Sequence, residues 1–235
     1  MKIWIAGVLA LCTMAVEPQA RPQSANSGGD QASVSRFQQP QLTRVSSRRR
    51  SNAGGSNPQY DFLLLNLSWS PEFCSTHQAS ECGLHRAFIV HGLWPQRNDG
   101  TYPEHCGTRP GPTNPASWAD VMPDVGLVKH EWQTHGTCTP YDADTYFGMI
   151  RKAFKVVKVP AVYSDGTKEV QMKPADILAD FAKVNPGFPA GSMALSCGNN
   201  RLTAFELCMS KDLKPIACSA VKTCRANVVK ITPVK

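Results

Sequence analysis

Three of the chain's six histidines fall in two short, dense segments that hold the residues best suited to chemistry. The first segment is Phe88-Ile89-Val90-His91-Gly92-Leu93-Trp94-Pro95, an apolar run that places a histidine where a strand ends. The second is His130-Glu131-Trp132-Gln133-Thr134-His135-Gly136-Thr137-Cys138. Two histidines share one zinc ion from a helix when they stand at i and i+4, about 40° apart around the axis. His130 and His135 stand at i and i+5, about 140° apart. Measured from His130, Thr134 falls at about 40°, Glu131 at about 100° and His135 at about 140°, while Trp132 and Gln133 lie outside this arc. The arc suits the wall of an open cleft better than a single small cation, so no metal site is expected. No Ser or Cys nucleophile motif accompanies the histidines. Imidazoles and a carboxylate around one cleft suit phosphoryl transfer by acid–base catalysis. One imidazole removes a proton from an attacking hydroxyl and another protonates the leaving oxygen, and a pKa near neutrality opens both roles to the same side chain. His77, His85 and His105 stand outside the two segments and are read as surface or loop residues.

The elements that must position these groups show in the hydrophobic pattern. Tyr60 to Trp69 is a nearly continuous apolar run ended by Pro71, as for a buried central strand. Residues 95–117 are rich in Gly, Pro, Asn and Asp and are expected to be loop. Leu127 to Thr137 is expected to be helical, with a stop at Gly136. A clearer helix follows, capped by Asp142 or Asp144, with Phe147, Ile150, Phe154 and Val157 at helical spacing. Lys173 to Val184 predicts another, with Pro174 in its first turn and Asn185-Pro186 as its stop. Strands are expected around Ser192–Ser196, Leu202–Met209 and Ala226–Thr232. The sum is an α+β fold with helices packed on a mainly antiparallel central sheet.

The chain's 235 residues divide into three parts. Lys2 followed by the apolar run Ile3 to Val16 predicts a signal peptide over 1–20, with small residues at Ala15 and Ala20 as cleavage points. Bulky Leu11 argues against a lipoprotein site at Cys12. Residues 21–59 are Ser/Gln/Arg-rich, nearly devoid of apolar side chains, and predict a disordered linker that includes Arg48-Arg49-Arg50. Residues 60–235 form the folded domain. The net charge of +7 is unevenly placed: residues 1–59 hold seven basic and two acidic residues, so the domain is close to neutral. Within it, residues 60–150 carry four basic and ten acidic side chains and residues 151–235 carry 14 and six. A basic second half can guide a polyanion or be an ordinary solvated surface. Without Cys12, eight cysteines remain behind an export signal, which reads as a four-disulfide framework in an oxidising compartment, secreted, extracellular or periplasmic. Their number allows 105 pairings, and sequence alone chooses none of them.

The two histidine segments resemble the active-site segments of the ribonuclease T2 family of secreted acid endoribonucleases. The similarity spans about residues 60–232 and includes Leu67-Ser68-Trp69-Ser70-Pro71 leading to Cys74, and the pattern Cys197, Leu202-Thr203, Glu206-Leu207-Cys208, Cys218. The resemblance implies that His91 acts as general acid and His135 as general base, with His130 and Glu131 binding and polarising the phosphate. It implies that the substrate's 2′-hydroxyl is the nucleophile, that a 2′,3′-cyclic phosphate forms, that no cofactor is needed, and that DNA is inert. Trp94 and Tyr102 match positions whose rings hold the base 5′ to the cut, where stacking tolerates any base. Gln96 matches a base-contacting position that in some members is an Asp favouring adenine. The implied disulfides are Cys74–Cys82, Cys106–Cys138, Cys197–Cys224 and Cys208–Cys218. RNA is the expected partner, the protein is expected to be a monomer, and no stable membrane association is expected.

One residue departs from the family pattern. Members usually carry Lys just before the second histidine of the helical motif, and this chain carries Thr134. A neutral hydroxyl there supplies one hydrogen bond where a cation would stabilise charge gathering on the phosphate. Restoring the lysine by Thr134→Lys is expected to raise turnover roughly tenfold. The same departure supports a second reading, a secreted T2-like RNA-binding protein with weak or no catalysis. The sequon Asn66-Leu67-Ser68 lies in the expected buried strand and is not expected to be open to glycosylation.

Overall fold

A computed structural model describes residues 59–164 and 166–234 of the chain. The expected signal peptide and the linker up to residue 58 lie outside the described residues. The first strand, β1 (Phe62–Trp69), is central, hydrogen-bonded to β2 (Phe88–Gln96) on one side and to β5 (Arg201–Met209) on the other. Alternation explains its unbroken apolar run. Leu63, Leu65 and Leu67 enter the main core, while Phe62 and Leu64 pack on the opposite face with Trp94 and Cys208 beneath Ile216 and Val221. Both faces are covered, so both sets of side chains are apolar.

Pro71 ends the strand by starting a helix. It sits in the first turn of α1 (Ser70–Thr76), where its missing N–H costs nothing. Farther along come α2 (Val125–Thr134), α3 (Ala143–Val156), a short strand β3 (Val170–Met172) and α4 (Pro174–Val184). β4 (Met193–Gly198) and β6 (Val229–Ile231) complete a sheet ordered β2-β1-β5-β6-β3, with β4 paired to β5. Every pairing is antiparallel except the single step from Arg201 to Lys230 between β5 and β6. The expected α+β class therefore holds. The sequence reading passed over α1 and β3, which are too short to display a period.

The helices are anchored as their sequences dictate. The Asp142 carboxylate accepts the Thr145 N–H at 2.7 Å and starts α3, whose Tyr146, Phe147 and Ile150 are fully buried. Asp124 caps α2 in the same way through the Leu127 N–H at 2.8 Å. In α4, Phe181 stacks on Phe205 of β5 with ring centroids 4.0 Å apart. Four disulfides, Cys74–Cys82, Cys106–Cys138, Cys197–Cys224 and Cys208–Cys218, tie the loops to this frame. Among the described residues no helix is long and apolar enough to cross a membrane.

Candidate active site

The position of His91 is set by a β-bulge, and here the structure corrects the sequence reading: His91 lies inside β2, not at its end. The register runs Asn66 to Gly92 and then Leu67 to Val90, so His91 is the extra residue of the bulge. Val90 and Leu93, three residues apart, are both in the core. A regular strand cannot bury both on one face, and the bulge absorbs the odd residue. His91 is thereby turned onto the face of Gly92 and Trp94. There its Nδ1 lies 3.1 Å from the Ser68 hydroxyl of β1. Its Nε2 lies 3.5 Å from Glu131 Oε1.

Glu131 arrives from α2, which stands beside the edge strand β2. Leu127, Val128 and Trp132 of that helix enter the core, and Glu131 reaches across Gly92. The Trp94 indole N–H donates to Glu131 Oε2 at 2.8 Å. Gly92 is required at this crossing, because a Cβ would overlap Glu131 Oε2 and Trp94 Nε1. The Trp94 ring also meets His91 edge-on at 5.4 Å and His135 at 5.3 Å, so one indole touches both imidazoles and the Glu131 carboxyl group. Trp94 is only 7% exposed.

Burial sets the electrostatics. Glu131 is fully buried, and loss of solvation pushes its carboxyl up to about 8 against the pull of the Trp94 hydrogen bond. Desolvation, with a smaller contribution from His130, lowers His91 to about 4. Desolvation followed by the charges of His91, His130 and His105 lowers His135 to about 3. His130 is exposed on its outer side and is lowered by partial desolvation and by His105. The cluster thus favours neutral imidazoles beside a neutral carboxylic acid until a negative charge enters.

The helix ends as the arc required, with one change. His135 is the residue after the last turn of α2, and a 3-10 turn, Gly136–Cys138, follows it. Gly136 is needed there because a Cβ would overlap the Trp132 ring. Arg109, which the sequence reading left unassigned, pins this end. Its guanidinium donates to the carbonyls of Gly136 at 3.3 Å, Thr137 at 2.9 Å and Thr139 at 2.6 Å, and to that of Tyr141. Thr134 is buried, and its hydroxyl has no hydrogen-bond partner among the described residues. Gln96 is buried at the far end of β2 opposite Phe62, and Tyr102 is half-buried in the loop that follows. Among the described residues no hydrogen bond joins Gln96 to the histidine cluster. Asn66 is 5% exposed and donates to Glu206 Oε1 at 3.1 Å, which seals the sequon inside the sheet. Among the described residues no group of three or more His, Cys, Asp or Glu is arranged to hold a metal ion.

Comparison with known proteins places these features in a family. The family model described as Ribonuclease T2 family matches residues 60–218. A ribonuclease of Aeromonas hydrophila is 39% identical over 90 residues, covering 37% of this chain and 41% of that protein. A probable ribonuclease of Haemophilus influenzae is 32% identical over 120 residues, covering 43% of this chain and 44% of that protein. The chain therefore spans less than half the length of these two relatives. Among solved structures, ribonuclease MC1 from the seeds of bitter gourd superposes with a TM-score of 0.59 at 20% identity, covering 72% of this chain and 99% of that one. At that identity the likeness is one of fold.

Proposed function

Since the chain belongs to the ribonuclease T2 family, we propose that it is a metal-independent endoribonuclease that cleaves single-stranded RNA by histidine acid–base chemistry. The observation that carries this reading is the Trp94–Glu131 hydrogen bond, which gathers His91 and His135 about one buried carboxyl group. In the reaction, neutral His135 takes the proton of the 2′-hydroxyl, whose oxygen attacks the adjacent phosphorus. The bond to the 5′-oxygen breaks, protonated His91 gives that oxygen its proton, and a 2′,3′-cyclic phosphate remains. The low pKa of His135 keeps the base neutral. A neutral Glu131 can donate a hydrogen bond to a non-bridging phosphate oxygen, which a carboxylate would repel. His130, exposed beside it, completes the phosphate contact. DNA lacks the nucleophile and is not cleaved.

The protein works as a secreted monomer, extracellular or periplasmic, with no cofactor; the four disulfides suit an oxidising compartment. The competing reading, RNA binding without catalysis, rests on the neutral Thr134. Incubating the purified protein with RNA in EDTA separates the two. Cleavage that persists in EDTA and leaves 2′,3′-cyclic ends is the expected result. Binding with no cleavage supports the second reading, and activity lost to EDTA and restored by a divalent ion overturns the metal-free mechanism.

A further inference from the structure

The site as described contains no cation at the place of the missing lysine. Thr134 is uncharged, 5% exposed and enclosed. Arg109 is near but its donors are committed to backbone carbonyls of residues 136–141. Lys129 precedes His130 and lies about 100° around the helix on the side away from His135.

The loop that closes over this end of α2 brings another candidate. The His105 N–H donates to the carbonyl of Thr134 itself at 2.8 Å. The next residue, Cys106, donates its N–H to the Thr137 hydroxyl at 3.2 Å and is disulfide-bonded to Cys138. His105 is thus fixed against the residue that departs from the family pattern. Its backbone has φ of +52°, a left-handed conformation that is unfavourable for a residue with a Cβ. Strain of this kind is retained where surrounding structure enforces it, and it gathers at functional sites. The imidazole is exposed, and its ring nitrogens have no hydrogen-bond partner among the described residues. A charge on its imidazole lies close enough to His130 and His135 to contribute to the lowering of each. Among the described residues, His130 of α2, His135 just past its end and the adjacent Glu104 are the titratable groups that the couplings and the chain place beside it.

Building on the proposed ribonuclease function, we propose that His105 is a fourth active-site histidine whose protonated ring supplies, at the scissile phosphate, the positive charge that position 134 lacks. Charge grows on the non-bridging oxygens as the 2′-oxygen attacks, so a cation there acts mainly in the transition state. With that place already filled, the lysine added by Thr134→Lys gains much less than about tenfold.

The test measures steady-state cleavage of a defined dinucleotide across pH for wild type, His105→Asn, His105→Lys, Thr134→Lys and the pair His105→Asn with Thr134→Lys. Asparagine tolerates the left-handed backbone and so keeps the loop. His105→Asn should lower kcat about tenfold with KM little changed. His105→Lys should keep activity and extend it to higher pH than wild type, since lysine stays charged there. Thr134→Lys should recover most of the loss in the paired variant while changing wild type by less than about twofold. An unchanged kcat in folded His105→Asn overturns the inference and leaves the ribonuclease reading standing. So does a loss that neither lysine restores, because a merely structural role predicts that pattern. Absence of cleavage in wild type overturns the ribonuclease reading instead.

Discussion

Replacing His135 or His91 by alanine is expected to lower kcat for RNA cleavage at least about a thousandfold, near the upper range for loss of a positioned acid or base. The fold should survive either change. His135 Nδ1 has no hydrogen-bond partner among the described residues, and the His91 ring makes its described hydrogen bond to the Ser68 hydroxyl, which can turn elsewhere. Circular dichroism and the melting transition should therefore remain those of a folded protein. The proposed roles also set an expected pH dependence. With His135 as neutral base and His91 as protonated acid, activity requires a pH above the pKa of His135 and below that of His91. Desolvation holds both low in the free protein, at about 3 and about 4. The maximum of kcat/KM, which reports the free enzyme, should thus lie on the acid side of an ordinary imidazole pKa of about 6.5. Bound phosphate is negative and raises both values, so the maximum of kcat should sit at higher pH than that of kcat/KM. Full activity in either alanine variant would reassign the roles, and coincident maxima near neutrality would remove the electrostatic account.

Gly92→Ala should be nearly as damaging, although glycine contributes no chemistry. Its Cβ would occupy the space of Glu131 Oε2 and Trp94 Nε1, so the hydrogen bond between them must break. Both groups are buried, and a buried polar group deprived of its partner costs about 1–3 kcal/mol. Overpacking adds a similar amount. The indole that holds His91 and His135 in place would shift, and a displacement of about 1 Å at a reacting group can cost a hundredfold. The expected result is a loss of about a hundredfold in kcat together with a clear fall in melting temperature. Retained activity at wild-type stability would mean that the Trp94–Glu131 bond does not organise the site.

Much of the frame was legible in the sequence because local rules agreed with the fold. Asp142 caps α3 and Asn185 closes α4 where the sequence places them, and the apolar run of β1 is a two-face burial. The two histidine segments, read together, located the cluster. What escaped depends on pairing across the chain. His91 was expected at a strand end because Ala87 to Val90 is the visible apolar run, yet Leu93 also belongs to the core. That break in alternation between Val90 and Leu93 was the available sign of the bulge. Ser68, Gly92 and Arg109 work through partners 23 to 39 residues away, or through an atom they lack, and no period reports such contacts. His105 looked like a loop residue in isolation; only the hydrogen bond to Thr134 and the Cys106–Cys138 link bring it to the site.

In the proposed reaction the substrate's own 2′-hydroxyl is the nucleophile. A DNA oligonucleotide that carries a single ribonucleotide, incubated with the protein in EDTA and resolved by mass spectrometry, puts this to the test. The expected result is one cut, on the 3′ side of the ribonucleotide, leaving a 2′,3′-cyclic phosphate on one product and a 5′-hydroxyl on the other. Cleavage of the all-DNA control, or products ending in a 5′-phosphate and a 3′-hydroxyl, would contradict it.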